Sequence, residues 1–157
     1  MNKYIKISIV AVLSLILLSL IIYIILYTSN NGLYKYKCGK LENANAEEIA
    51  KQIHILDDDL TYESFEKILN EKTLKVQYVL NDKKKVDDLD FNAIRYNSEV
   101  YFALIKDLDT LVLEVKYING DGYRLYTYSN KKHDDAKITY SMTKNTFNKK
   151  VKEMGIN

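Results

Sequence analysis

The chain contains no proline or tryptophan, a single cysteine and two histidines among its 157 residues. One cysteine, Cys38, excludes an internal disulfide, so we expect a free thiol, with pairing to a second chain as the alternative. His54 and His133 lie far apart, and neither has a Cys or another His at the spacing of a zinc site. The sequence therefore predicts no metal site and no disulfide framework.

The chain also has little net charge outside its first residues. Of its 23 Lys and Arg, only Lys3 and Lys6 precede residue 34, so residues 34–157 carry 21 basic and 21 acidic side chains. Nucleic-acid binding normally requires a net basic field or a clustered basic face. The run Lys83-Lys84-Lys85 is flanked by aspartates, which is typical of a self-neutralised loop. We predict no nucleic-acid partner.

Motifs for catalysis or cofactor binding are missing as well. The aspartates at 57–59 lack the alternating ligands and the glycine of a calcium loop, and a solvated turn is the preferred interpretation. His133 and Asp134 have no serine or cysteine nucleophile nearby in sequence. We therefore predict no catalytic, cofactor-binding or metal-binding residue and no cofactor. The alternative is an envelope-facing hydrolase that uses surface carboxylates, with Asp57, Asp59 and Glu63 as the first candidates.

What the chain does have is a long apolar run, Ile7–Tyr27, without one charged residue, glycine or proline. As a helix this run would extend roughly 31 Å, which matches the hydrocarbon thickness of a bilayer. Tyr4, Tyr23 and Tyr27 flank it at the depth where tyrosine favours the headgroups. The sequence predicts a single-pass transmembrane anchor that contacts the lipid bilayer through Ile7–Tyr27.

The main alternative to an anchor is a cleaved signal peptide. The run is longer than a signal-peptide core, and the residues after it, 28–32, offer no cleavage signal, so we expect an uncleaved anchor. The positive charges on its two sides balance, but a short N-terminal tail usually stays inside. We therefore expect a single-pass protein of the cell membrane. Residues 1–27 would form a cytoplasmic tip and anchor helix, residues 28–33 a short tether, and residues 34–157 one extracytoplasmic domain.

The domain pattern alternates helix and strand signals. Asn45 and Glu48 have the spacing of a capping box before a helix over 46–55, and Asp90 precedes a helix to about Lys106, on which Arg95 and Glu99 would pair at the surface. Thr143 would cap a last helix. Alternating apolar residues predict strands over 74–80, 111–117 and 123–128, the last two joined by a turn at 119–122, and a short extended stretch around 138–140. The stretch 61–70 fits either a helix or a strand.

This element order predicts an α+β domain, a largely antiparallel sheet with about three helices packed on one face. The other face could be solvated or offered to a partner. The 14 tyrosines fit the codon usage of an AT-rich genome, and a tyrosine-rich binding face is the alternative interpretation.

Residues 97–109, NSEVYFALIKDLD, resemble the N-A-x-x-L-F-x-L-I-x-N-x-D signature of the extracytoplasmic domain of unknown function 4825. Ser98, Tyr101 and Asp107 stand where that family usually has Ala, Leu and Asn. The segment 34–36, the strand over 74–78 and the helix over 143–154 follow the family's order. This resemblance implies a domain after a membrane anchor, in a family also found beside sensor-type membrane metallopeptidases.

From the anchor and the missing motifs we predict a noncatalytic, membrane-anchored binding or sensing module. The resemblance implies that it is accessory to a membrane sensor or peptidase system. Its partner would be a protein or a component of the cell envelope.

Overall fold

The computed structural model describes residues 12–23, 32–53, 60–81, 91–118, 122–132 and 136–156. The chain divides into two compact units, Met1–Gly32 and Leu33–Asn157. In the first unit residues 12–23 are helical (α1), and their large apolar side chains are between 45% and 66% exposed. No helix in the described part of the chain combines the length and apolarity needed to cross a membrane. Residues 7–11 and 24–27 of the predicted anchor lie outside the described residues.

The second unit is an α+β domain built on a four-stranded sheet. Its strands are β1 (Leu60–Ile68), β2 (Thr73–Leu80), β3 (Thr110–Tyr117) and β4 (Tyr123–Ser129), in the spatial order β1-β2-β3-β4. The outer pairs, β1 with β2 and β3 with β4, are antiparallel, but β2 and β3 are parallel. The sheet is therefore mixed, which corrects the largely antiparallel sheet predicted from the sequence. The reason is the crossover between β2 and β3, which contains a helix and returns the chain in the same direction.

The strand periodicity places one face of the sheet in the core. Side chains of alternate residues on β2 and β3 are buried there, namely Leu74, Val76, Tyr78, Leu80, Leu111, Leu113 and Val115. Tyr126 of β4 joins them. Tyr78 also meets Tyr101 of the crossover helix, and the two buried hydroxyl oxygens lie 3.0 Å apart. Burial raises the pKa of both phenols, so this pair stays neutral and hydrogen-bonded over the physiological range.

Three helices complete the domain: α2 (Ala46–Gln52), α3 (Phe91–Leu104) and α4 (Lys144–Glu153). Their buried side chains share one core cluster with the buried sheet face, and they include Ile49, Ala50, Ile94, Tyr101, Phe147 and Val151. Short 3-10 turns cover Gly32–Tyr36, Leu41–Asn43, Leu69–Glu71 and Asn130–Lys132. The stretch 61–70, open from sequence, is mostly strand β1.

Helices α2 and α4 begin where the sequence predicts, but only one of the two predicted capping interactions is formed. Thr143 Oγ1 accepts a hydrogen bond from the Thr146 backbone N–H at 3.4 Å, which confirms the predicted cap of α4. Helix α2 does begin after Asn45, but the Asn45 side chain makes no capping hydrogen bond. Glu48 accepts instead from the Tyr36 hydroxyl at 3.2 Å, so the predicted capping box is wrong.

Helix α3 differs from its prediction on one important point. Arg95 and Glu99 do pair, with 4.0 Å between Nε and Oε1, but Glu99 is only 1% exposed, whereas the sequence placed it at the surface. Its Oε2 accepts a hydrogen bond from the Lys137 backbone N–H at 2.8 Å. The stretch 138–140, predicted to be extended, has a bend and a turn instead of a strand, and it follows directly on Lys137.

Candidate functional site

Large apolar side chains are exposed where β3 ends and β4 begins. We call these residues together the hairpin patch, defined as Tyr117 (40% exposed), Ile118 (53%), Tyr123 (63%) and Leu125 (49%). Tyr117, at the end of β3, has the parity of the core-facing Leu113 and Val115. Several large exposed apolar residues at one end of a sheet make that end a candidate interaction surface. Tyrosine is also enriched among the residues that contribute most to protein interfaces.

The hairpin backbone positions the patch. Lys116 pairs with Tyr123 and Glu114 with Leu125 across the antiparallel ladder, so Tyr123 and Leu125 lie on the sheet face opposite the core. The Tyr117 backbone N–H donates to the Gly122 carbonyl at 3.3 Å. A Cβ added at Gly122 would lie 3.2 Å from the Tyr117 ring, so the absence of a side chain at 122 lets this ring lie close to the backbone.

Beside the patch, charged side chains form a network around Glu114 on the same sheet face. Lys75 Nζ lies 2.6 Å and Lys116 Nζ 3.9 Å from the Glu114 carboxylate, which also accepts from the Gln77 amide at 3.0 Å. Ser64 in turn donates to Gln77. Within this network Glu114 is only 6% exposed, although it lies on the sheet face opposite the core.

The electrostatics of Glu114 follow from these contacts. Burial by itself would raise its pKa, but the hydrogen bond and charge of Lys75, the Gln77 amide and Lys116 outweigh burial and lower the pKa below its ordinary value of 4.5. Glu114 is therefore ionised at neutral pH. An ordered, charge-balanced surface next to an aromatic patch has the composition of a protein interface, with an apolar centre and a polar rim.

Of the carboxylates considered for hydrolysis, only Glu63 lies within the described residues. Glu63 lies at a β-bulge in β1, where the register shifts between Tyr62 and Ser64, and pairs with Lys116 Nζ at 2.9 Å. Asp57 and Asp59 lie outside the described residues, as do His54, His133 and Lys83-Lys84-Lys85. In the described part of the chain, no group of three or more His, Cys, Asp or Glu side chains could hold a metal ion.

Cys38 is half-buried at the other end of the sheet. Its backbone forms an isolated bridge with Ile105, just before β3 begins. Desolvation and the nearby Asp107 carboxylate raise the pKa of the Cys38 thiol, which disfavours the reactive thiolate. The single cysteine is therefore a poor nucleophile in this chain.

None of the sequence predictions singled out the four residues of the hairpin patch. For two of them, Tyr123 and Leu125, the signal is the alternation of β4, because Tyr126 has the parity of the core face and these two have the opposite one. A strand with large apolar residues at both parities indicates one face for the core and a second for a partner.

Comparisons with known proteins add no relative: no protein-family model, no curated protein and no solved structure matches the chain.

Proposed function

We propose that the chain is a membrane-tethered, noncatalytic binding module, with a single-pass anchor over Ile7–Tyr27, its N-terminus inside and its α+β domain outside the cell membrane. The observation that carries the proposal is the exposed apolar surface of α1 within this uncharged run. Leaving a Leu or Ile side chain in water costs about 1.5–3 kcal/mol relative to burying it. A bilayer removes that cost for every side chain of the run at once.

The domain's own task is binding, and we propose that the hairpin patch contacts a partner protein. The patch lies at the far end of β3 from the Cys38–Ile105 bridge, and a strand of 8 residues is about 26 Å long. The four side chains of the patch are between 40% and 63% exposed, which leaves them accessible to a partner. The resemblance to domain of unknown function 4825 supports an accessory role beside a membrane sensor or peptidase.

The anchor is tested with the full chain in membranes. We expect the protein to stay in the membrane fraction at alkaline pH, and a reporter enzyme that works only in the cytoplasm to be inactive when fused after Asn157. A Leu17→Lys change puts a charge at the middle of the run, which costs about 2.5–3.5 kcal/mol on insertion, and should release part of the protein. Extraction of the unchanged chain at alkaline pH, or an active cytoplasmic reporter, would contradict the proposal.

The partner surface is tested by a photo-crosslinking amino acid placed at Tyr123, with Lys152 on the exposed side of α4 as the matched control position. In cells that make the full chain, we expect one discrete protein adduct from position 123 and none from 152. The adduct should disappear when Leu125→Lys is added, because the new charge cannot be buried in an apolar contact. Equal adducts from both positions, or an adduct that persists with Leu125→Lys, would exclude the patch as the contact.

A further inference from the structure

Two lysines of the domain meet at one aromatic ring without a carboxylate partner. Lys37 Nζ lies 4.4 Å and Lys106 Nζ 6.0 Å from the centre of the Tyr140 ring, both within the range of cation–π contacts. Other lysines of the described domain do pair with carboxylates, among them Lys51, Lys75 and Lys116. Neither Lys37 nor Lys106 forms an ion pair with any residue that the structure describes. Their charges are therefore open to an external anion.

The ammonium group of Lys37 is held in place by uncharged acceptors. It donates to the Met142 carbonyl at 3.1 Å and to the Tyr34 hydroxyl at 3.3 Å, and it lies 4.9 Å from the centre of the Tyr34 ring. None of these contacts neutralises its charge. Because fixing a lysine side chain costs conformational entropy, an ammonium group that is already fixed loses less entropy when it binds an anion.

Hydroxyl groups flank the same ring. Thr139 and Ser141 are both exposed, their hydroxyl oxygens lie 3.0 Å apart, and Thr139 lines a common surface with Lys106 and Tyr140. Only one of the two hydroxyls donates to the other, which leaves the second proton for a ligand. We call Lys37, Lys106, Thr139, Tyr140 and Ser141 the Tyr140 cluster. Ammonium and hydroxyl donors on an open surface are the groups that bind phosphate oxygens.

The carboxylates of the adjoining segments are already engaged. Asp107, which follows Lys106, accepts the Leu41 backbone N–H at 2.6 Å. Glu99 is 1% exposed and accepts the Lys137 backbone N–H at 2.8 Å. The Tyr140 cluster therefore presents positive charge to solvent, although residues 34–157 as a whole carry equal numbers of basic and acidic side chains.

We propose that the Tyr140 cluster contacts the phosphate groups of anionic lipids in the bilayer that holds the anchor. Lys37 is the tenth residue after Tyr27, where the proposed anchor ends, and a short tether gives a high effective concentration of lipid headgroups. Anionic lipid attracts a lysine near its surface by about fivefold in binding, and tyrosine rings favour the same depth. This inference rests on the anchor of the proposed function and is independent of the hairpin patch.

The test uses the full chain in lipid nanodiscs, with a fluorophore on Gly39→Cys in a Cys38→Ser background. A Cβ at position 39 meets no heavy atom within 4 Å, so a label fits there, next to the bridge between Cys38 and Ile105. Nitroxide groups on the lipid headgroups quench the fluorophore when this part of the domain contacts the bilayer. We expect stronger quenching in discs of phosphatidylcholine with phosphatidylglycerol than in discs of phosphatidylcholine alone, and loss of the difference at high salt.

The variants test which lysines are responsible. Lys37→Gln/Lys106→Gln should lower the ratio of bound to unbound domain by more than about tenfold, so that quenching in the mixed discs falls to the phosphatidylcholine level. Lys37→Arg/Lys106→Arg keeps both charges and should keep the quenching. Lys131→Gln/Lys152→Gln removes the same charge at two other exposed positions and is the matched control.

Circular dichroism shows whether the double variant folds. If it does not, Lys106→Gln alone is decisive, because Lys106 is exposed and its loss should still weaken binding by about fivefold. Equal quenching in the two kinds of disc would overturn the proposal. So would a difference that the folded Lys37→Gln/Lys106→Gln variant retains, or one that the matched control loses to the same extent.

Two further arms separate this inference from its alternatives. Inorganic phosphate that removes the quenching at an ionic strength where chloride does not would show a site for free phosphate and overturn the lipid contact. A failed anchor is recognised separately, because a chain that does not insert is not recovered with the discs. Leu125→Lys changes the hairpin patch alone and should be quenched as the unchanged chain is.

Discussion

Glu114 is a buried carboxylate on the open side of the sheet, where each neighbouring polar group contributes to holding its charge. Lys75 and Gln77 from β2 and Lys116 from its own strand surround it. Exposed ion pairs contribute little to stability because water screens them, but a buried partner that is left unsatisfied is costly. The network therefore stabilises the sheet on the face opposite the apolar core.

We predict that Glu114→Gln lowers the free energy of unfolding at pH 7 by about 1–2 kcal/mol. The folded-state pKa of Glu114 is lowered, so its contribution is fully present above the unfolded pKa near 4.5 and is lost as pH falls through the folded value. The stability gap between wild type and variant should thus close below pH 4.5. Urea unfolding from pH 3 to 7 measures this, with Glu71→Gln on an exposed turn as control. A gap that is constant with pH would contradict the prediction.

Helix α4 buries few side chains, so the hydrogen bond that caps its first turn contributes a large share of its stability. Phe147 and Val151 are its two buried residues, and Gly155 follows with a φ of +70°, a conformation that glycine adopts without strain. The Thr143 side chain supplies a partner for one of the N–H groups that the helix leaves without an internal acceptor.

We predict that Thr143→Ala destabilises the protein by about 1 kcal/mol, the usual cost of losing an N-cap. Thr143→Ser keeps the hydroxyl and should unfold at nearly the wild-type denaturant concentration. Chemical denaturation followed by far-ultraviolet circular dichroism compares the three chains. If serine and alanine were equally destabilising, the threonine methyl group rather than the cap would be the stabilising feature.

Features that depend on residues close together in the sequence could be predicted from it. Features that depend on packing between distant segments could not. The alternation in β2, β3 and β4 and the Thr143 cap depend on nearby residues, and the structure places them as predicted. The bulge at Glu63 shifts the alternation of β1, which left that stretch ambiguous between helix and strand. Parallel pairing of β2 with β3 depends on how the crossover packs, for which no single residue is a marker.

The same distinction explains the sites. Burial of Glu99 results from a segment nearly forty positions later that covers it, as the Lys137 contact shows. The spacing of Arg95 and Glu99 on a helix predicts a surface pair, because helical periodicity contains no information about a distant loop. In the same way, Glu48 was predicted to cap α2 together with Asn45, but its carboxylate accepts a hydrogen bond from Tyr36, which lies before the helix.

At the scale of the whole domain, the two edge strands of the sheet, β1 and β4, differ in composition and regularity. Edge strand β1 has a bulge at Glu63 and carries Glu66 and Lys67, features that discourage pairing with another chain. Edge strand β4 begins with Tyr123 and Leu125, both largely exposed. Among the described residues, one edge strand thus carries a bulge and charges, and the other carries large exposed apolar side chains.

This asymmetry has a consequence for the solubility of the protein. With no partner over β4, molecules at high concentration should associate through that edge, because an exposed apolar edge strand is a template for pairing. We predict that the purified chain in excess detergent self-associates with rising concentration, and that Leu125→Lys keeps it monomeric while Lys152→Gln does not. Sedimentation velocity across a concentration series measures this. If Leu125→Lys leaves the association unchanged, the associating surface lies elsewhere in the protein. If Leu125→Lys abolishes the association, a single edge strand limits the concentration at which the protein stays in solution.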